Sequence, residues 1–182
     1  MLISAKTPLK DVIRYGAVAD KKLEKKKIPP EKRGIENCEF GSGFCHEKDL
    51  PKLAAFLRMS VDELKEKYLE EFDKFNTKRY RPKVMRKEGM PYGQCIFLDR
   101  EKGCTVHQVR PLQCRVAHTD ENSEALAKWF DFNYFVNRND PESIRQYALW
   151  LQFNEPLPGA EIESIVEDKE LLNKILNYEV MK

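Results

Sequence analysis

From residue 49 onward, apolar positions recur at helical spacing. In DLPKLAAFL, Asp49 can cap and Pro51 suits a first turn, while Leu53, Phe56 and Leu57 form one apolar stripe. Ser60 opens SVDE, a capping-box signature. Leu64, Tyr68, Leu69 and Phe72 keep the same period, so the pattern predicts a second helix from Ser60 through roughly Phe75. Further on, EALAKWFDFNYFVNR reads as an aromatic-rich helix, and Asp140 caps PESIRQYALWLQF with Pro141 in its first turn. Trp129, Phe132, Phe135, Leu149, Trp150 and Phe153 are the expected core of this part. After Pro156 and Pro158, an acidic helix is expected from about Ala160 to Tyr178. Near the start, LKDVIRYGAVADKKL reads as one helix that stops before Pro29 and Pro30.

Two stretches between these lack a helical period. Residues 35–46, IENCEFGSGFCH, read as a turn-rich loop in which Gly41 and Gly43 let backbone and thiols wrap a small centre. TKRYRPKVMRK holds six basic residues and no acid, and reads as a solvated connection; a phosphate-binding or acidic-partner patch is the alternative. The expected fold class is mostly α: a small helical domain with an irregular cysteine-rich metal-binding centre. Its parts are a basic N-terminal extension (1–34), a cysteine-cluster region (35–118) and a C-terminal helical part (119–182) packed on the same domain.

Composition narrows the function. The 182 residues suit one domain with a real core, 41% being hydrophobic and 34% charged. The net charge of +2 gives no global argument for nucleic acid or membrane. Residues 1–34 carry ten Lys or Arg against four acids, which by itself reads as a solvated face. The N-terminal apolar run is too short and too charged for a secretory signal, and no stretch approaches the roughly 20 apolar residues of a spanning helix. A cytoplasmic protein is therefore expected, and disulfides are rare in that compartment.

Against that background the cysteines stand out. There are five, an odd number, and all lie between Cys38 and Cys114 beside Gly, Arg, Gln and His. Core cysteines acting as small hydrophobes would be scattered over apolar faces. Thiolates are soft ligands suited to zinc, iron or an iron–sulfur cluster, so metal ligation is the better reading. Cys95, Cys104 and Cys114 are spaced too widely for a single zinc knuckle, where two cysteines share one tight turn. Such ligands converge only through the whole fold, which makes fold and metal depend on each other.

The surrounding residues sharpen this. CIFLDREKGCTVHQVRPLQCR resembles the rear half of the YkgJ-like cysteine-cluster family, bacterial and archaeal proteins regarded as zinc or iron chelators. The matching elements are Cys95 with Phe97 and Leu98, Gly103 with Cys104, and Arg110-Pro111 followed by Cys114-Arg115. The family's front motif, CxxCGxCC, is followed by a helix opening like SVDELKEKYL. Aligned on it, Gly43-Phe44-Cys45-His46 puts His46 at the last cysteine, Ser42 at the second, and Cys38 one residue ahead of the first. His107 stands where a tyrosine is usual, and His118 where a proline is.

The resemblance implies a metal site drawn from Cys45, Cys95, Cys104 and Cys114, with Cys38 and His46 next. These six exceed one tetrahedral zinc, so a mononuclear site, a binuclear site and an iron–sulfur cluster all stay open. Arg110 and Arg115 are placed to offset thiolate charge, and His107 and His118 to support the site. Three functions follow: a structural, electron-transfer or metal-handling centre; an S-adenosylmethionine-dependent protein methylase, as in some relatives; and an adaptor binding RNA or protein through its basic segments.

Overall fold

The computed structural model describes residues 2–15, 27, 29, 32, 35–116 and 122–181. His118 and nearly all of the basic run at 21–27 lie outside the described residues, as does the continuation of the first expected helix beyond residue 15. The chain divides into two compact units: Met1–Pro8, Asp73–Lys78 and Glu121–Lys182 form one, and Leu9–Phe72 with Arg79–Asp120 form the other. Helix is the main regular structure, and the mostly helical expectation holds in outline. Three small antiparallel strand pairs are the addition.

In the second unit, α1 (9–15) is followed by α2 (Ile35–Phe40), α3 (Asp49–Leu57) and α4 (Val61–Tyr68). The predicted loop at 35–46 is thus helical in its first six residues. Ile35 and Cys38, one turn apart, both pack on the apolar core, and that shared face is what the helix gains. The extended loop begins only at Gly41. The capping box of α4 forms as read: the Ser60 hydroxyl accepts from Glu63 N–H, and the Glu63 carboxylate from Ser60 N–H.

The helix expected to run on to Phe75 stops at Tyr68, because Leu69 turns extended (φ −112°, ψ 152°). Strand β1 (Leu69–Lys74) then pairs with β2 (Thr77–Pro82), residues 73–78 at its tip being counted with the first unit. Phe75 and Asn76, at φ 50° and 54°, make the two-residue turn, a geometry natural for Asn and strained for Phe. Glu70 receives Arg81 at 2.8 Å and Arg86 at 2.9 Å, so the basic stretch read as a solvated connection is strand, tied to β1 by charge. β3 (Val84–Arg86) pairs with β4 (Gly93–Cys95), and β5 (Leu98–Asp99) with β6 (Gly103–Cys104). A 3-10 turn (His107–Val109) and α5 (Leu112–Val116) complete the unit. Its core is Leu53, Ala54, Leu64, Leu69, Phe97, Leu98 and Val106, with Cys95 among them.

In the first unit, α6 (Ser123–Tyr134) and α7 (Pro141–Leu151) form where the aromatic patterns place them, with Asp140 capping α7 through Glu142 N–H. Trp129, Phe130, Phe132 and Phe135 are buried as a block. Leu149 and Phe153, expected in the core, are exposed by 58% and 82%. Ile144 and Tyr147 take the inward face of α7 in their place, so the buried stripe is rotated from the one expected. The acidic helix foreseen from Ala160 to Tyr178 is broken into α8 (Ile162–Ile165) and α9 (Lys169–Leu176). Val166 is extended between them, and Asp168 caps α9 by accepting from Glu170 and Leu171 N–H.

Candidate metal centre

All six predicted ligands lie in the second unit. Cys38 sits on α2, Cys45 and His46 in the loop after it, Cys95 at the end of β4, Cys104 at the end of β6 and Cys114 inside α5. Local sequence explains each placement. The Asp99 carboxylate accepts the N–H of Glu101 and of Lys102, both at 2.8 Å, and Gly103 at φ 83° closes the turn that delivers Cys104. Val84 pairs with Cys95 and Leu98 with Cys104, so two short hairpins carry two sulfurs from opposite ends of the CIFLDREKGC segment. Pro111 starts the turn that becomes α5, Arg115 N–H reaching its carbonyl at 3.1 Å.

The front loop and the rear segment are stitched together residue by residue. Phe44 N–H donates to the Gln113 side-chain oxygen at 2.9 Å, and Gln113 N–H returns to Phe44 O at 3.2 Å. His46 N–H and Leu112 N–H, each at 2.8 Å, share one oxygen of Asp49, whose other oxygen takes Arg115 at 2.6 Å. Gly43 lies so close to Cys114 that a Cβ on it would stand 2.5 Å from the sulfur and 2.8 Å from the Cys114 nitrogen. Cys45 N–H donates to Tyr80 O, and the Ser42 hydroxyl to Pro82 O, binding the loop to β2. The family's second cysteine position, held by Ser42, therefore anchors backbone here.

Electrostatics show which sulfurs share a space. Every pair among Cys38, Cys95, Cys104 and Cys114 is coupled by a charge interaction that opposes ionisation. Cys45 interacts in this way with Cys95 and with Asp49. Burial is the main cause of every shift: Cys38 is pushed up to about 11, Cys45 and Cys95 to about 12, and Cys114 well above its ordinary value. Opposing this, backbone N–H groups of Phe97, Val106 and Gly43 hydrogen-bond the sulfurs of Cys95, Cys104 and Cys114 and favour their thiolates. Arg110 lowers both Cys38 and Cys104. That guanidinium lies 2.5 Å from His107 Nε2, so His107 acts on the arginine.

Among the described residues, no group of three or more His, Cys, Asp or Glu side chains is placed, as the side chains stand, to hold a metal ion. The donor chemistry nevertheless fits a soft cation. Four mutually opposed thiols have N–H donors aimed at three sulfurs, with a guanidinium beside two of them. Arg115 Nε adds a buried donor with no acceptor among the described residues. Without a cation such thiols stay protonated in an apolar interior, whereas a metal would take them as thiolates. His46 is engaged locally, its ring Nδ1 accepting Lys48 N–H at 3.1 Å.

Comparison with known proteins supplies the family. The family model CxxCxxCC, described as "Putative zinc- or iron-chelating domain", matches residues 36–132. The chain belongs to the CxxCxxCC family. Its match takes in every cysteine and ends within α6. Uncharacterized protein MJ0661 of Methanocaldococcus jannaschii is 35% identical over 81 residues, 41% of this chain and 40% of its own length. The alignment thus spans well under two thirds of that relative. No solved structure matches the chain.

Sequence reasoning missed Asp49, read as a helix cap, and Gln113, read as nothing. Leu112 and Arg115, which Asp49 binds, and Phe44, which Gln113 binds, lie more than 60 residues away, and no local pattern announces such a bond.

Proposed function

We propose that this member of the CxxCxxCC family binds zinc or iron through Cys38, Cys95, Cys104 and Cys114, in a closed all-thiolate site. The observation that carries the reading is the mutual electrostatic coupling of these four sulfurs, three of them receiving a backbone N–H. It favours Cys38 over Cys45 as the fourth ligand, since Cys45 answers only to Cys95 and to the Asp49 carboxylate. Cys45 is then a fifth, flanking thiol, and His46 a neighbour occupied by its own turn.

The chemistry follows from the donor set. Four thiolates on a divalent ion carry a net charge of −2, which Arg110 offsets in part beside Cys38 and Cys104. A four-coordinate thiolate zinc has no open position for activated water, so hydrolysis is not its use. The same four sulfurs would suit an iron–sulfur cluster, which supplies electron transfer. The protein's own part is the same in both cases. It converges four sulfurs, supplies N–H donors that lower the cost of ionising them, and holds them buried or half-buried.

The basic segment gives the adaptor reading little support, because Arg81 and Arg86 are held by Glu70 and Lys83 by the Glu66 carbonyl. The deciding experiment is metal analysis with visible absorption on protein purified without oxygen. One zinc per chain and no colour supports a structural or metal-handling site. Iron, acid-labile sulfide and absorption near 400 nm would make it an electron-transfer centre. Metal-free, colourless protein that takes up neither ion would sink the proposal.

A further inference from the structure

Asp49 is a buried carboxylate, 3% exposed, and every hydrogen bond it accepts leads to a cysteine-bearing segment. Its Oδ2 takes His46 N–H, next to Cys45, and Leu112 N–H, two residues before Cys114, both at 2.8 Å. Its Oδ1 takes Arg115 Nη2 at 2.6 Å, and Arg115 is next to Cys114 on the other side. The Leu112 amide opens α5, a helix of five residues. An amide at that position has no partner within its own helix, so a carboxylate from α3 closes it from outside.

Arg115 is left with an imbalance. Its Nη2 is paired to Asp49, while its Nε is buried with no hydrogen-bond partner among the described residues. A buried N–H without an acceptor is costly, and a neutral thiol is a weak acceptor. A thiolate is a strong one, and metal binding is what makes thiolates here.

We propose that Asp49 is the positioning residue of the metal centre. It holds the Cys45 loop and the Cys114 helix in register, and it orients Arg115 so that the unpaired Nε–H serves a metal-bound thiolate. This rests on the metal-binding reading above. Outer-sphere partners of this kind are worth about 10- to 100-fold in metal affinity.

Cobalt(II) serves as the spectroscopic probe. It is titrated into the full chain and into Asp49→Asn, Arg115→Lys and the exposed control Glu47→Gln. Asp49→Asn should bind cobalt about 10- to 100-fold more weakly and with an altered thiolate-to-cobalt charge-transfer band. Arg115→Lys keeps a cation for Asp49 but lacks the Nε–H. It should shift that band with a smaller loss of affinity, and Glu47→Gln should match wild type. Wild-type affinity and spectrum in Asp49→Asn would overturn the role. Should Asp49→Asn fail to fold, Arg115→Lys decides: an unchanged band overturns the proposal and a shifted one supports it. A wild-type chain that takes up no cobalt would overturn the metal reading itself, and this role with it.

Discussion

The two units solve the same problem of polar groups in opposite ways. In the helical unit, helix ends are satisfied from next door. Asp140 and Asp168 cap the helices they precede, and buried Arg145 pairs with Glu142 one turn away while donating to the carbonyls of Ile175 and Val180. A block of aromatic side chains fills the interior, where Trp129, Phe130 and Phe135 are 2% exposed or less. In the rear segment of the cysteine unit, strands of two or three residues and a five-residue helix hold little structure of their own. Bonds such as Asp49 to Leu112 and Phe44 to Gln113 tie its segments across more than 60 residues. Its interior holds thiols whose ionisation burial opposes. The helical unit is complete as a packed object, whereas the cysteine unit is arranged for a cation.

The largest expected effect follows from removing a proposed ligand. Cys95→Ser should abolish stable metal binding, a loss beyond the roughly 100-fold of an outer-sphere change. Amide protection across residues 93–116 should fall with it. Both tryptophans, Trp129 and Trp150, lie in the helical unit, so their fluorescence should hold steady. A simultaneous collapse of the tryptophan signal would break the comparison, because it would make the two units one cooperative structure.

The raised thiols give the second effect, and its sign depends on the metal. In metal-free protein burial pushes the Cys38 thiol up to about 11 and those of Cys45 and Cys95 to about 12, while unfolded cysteine titrates near 8.5. The folded state therefore binds more protons than the unfolded one between those values. The stability this gives is fully present below about pH 8.5 and is lost as pH rises toward 12. With metal, each thiol that becomes a ligand releases its proton, so affinity climbs with pH across the neutral range. Denaturation at several pH values should show stability rising with pH up to about 8.5 with zinc, and level there without it before falling above that value; parallel slopes would remove thiol ligation as the cause.

The third effect belongs to the helical unit alone. Trp129→Ala removes a 2%-exposed ring and the indole N–H bond to Thr7 O, at about 3–5 kcal/mol. Thermal unfolding would show the loss, while metal content per chain should stay at the wild-type value. A fall in bound metal would show that the cysteine unit draws on the aromatic core.

How much of this was legible depends, in both units, on whether the deciding bond is local or distant. The capping box at Ser60, the cap at Asp140 and the aromatic helix at α6 were readable, because each is a local rule satisfied locally. The run from Leu64 to Phe72 misled, since Leu69 fits a helix stripe and a strand equally well. What tips it to strand is Glu70 meeting Arg81 and Arg86, which no helical period reveals. The break at Val166 was hidden in the same way, its cap Asp168 reading as one more acid in an acidic run. At the site, the cysteines were legible by residue type and the arrangement was not. Cys38, out of register with the family motif, joins the coupled four, while Cys45, in register, stands to one side.

Gly43 offers the finest probe of that arrangement, because it touches the site without being a ligand. Its N–H serves the Cys114 sulfur, and an alanine there would keep that amide. The added methyl, however, would stand 2.5 Å from the sulfur and 2.8 Å from the Cys114 nitrogen, and the latter is backbone that cannot rotate away. Gly43→Ala should thus cost about 1–3 kcal/mol, the usual range for overpacking a filled interior. The loss should fall on the cysteine unit and weaken metal binding, with the tryptophan signal unchanged. Gly41, two residues earlier, has nothing within 4 Å of the point a methyl would occupy, so Gly41→Ala is the matched control. If both substitutions behave alike in metal affinity, the close approach of the front loop to Cys114 is not what shapes the site. If only Gly43→Ala weakens binding, that approach is part of how the chain holds its metal.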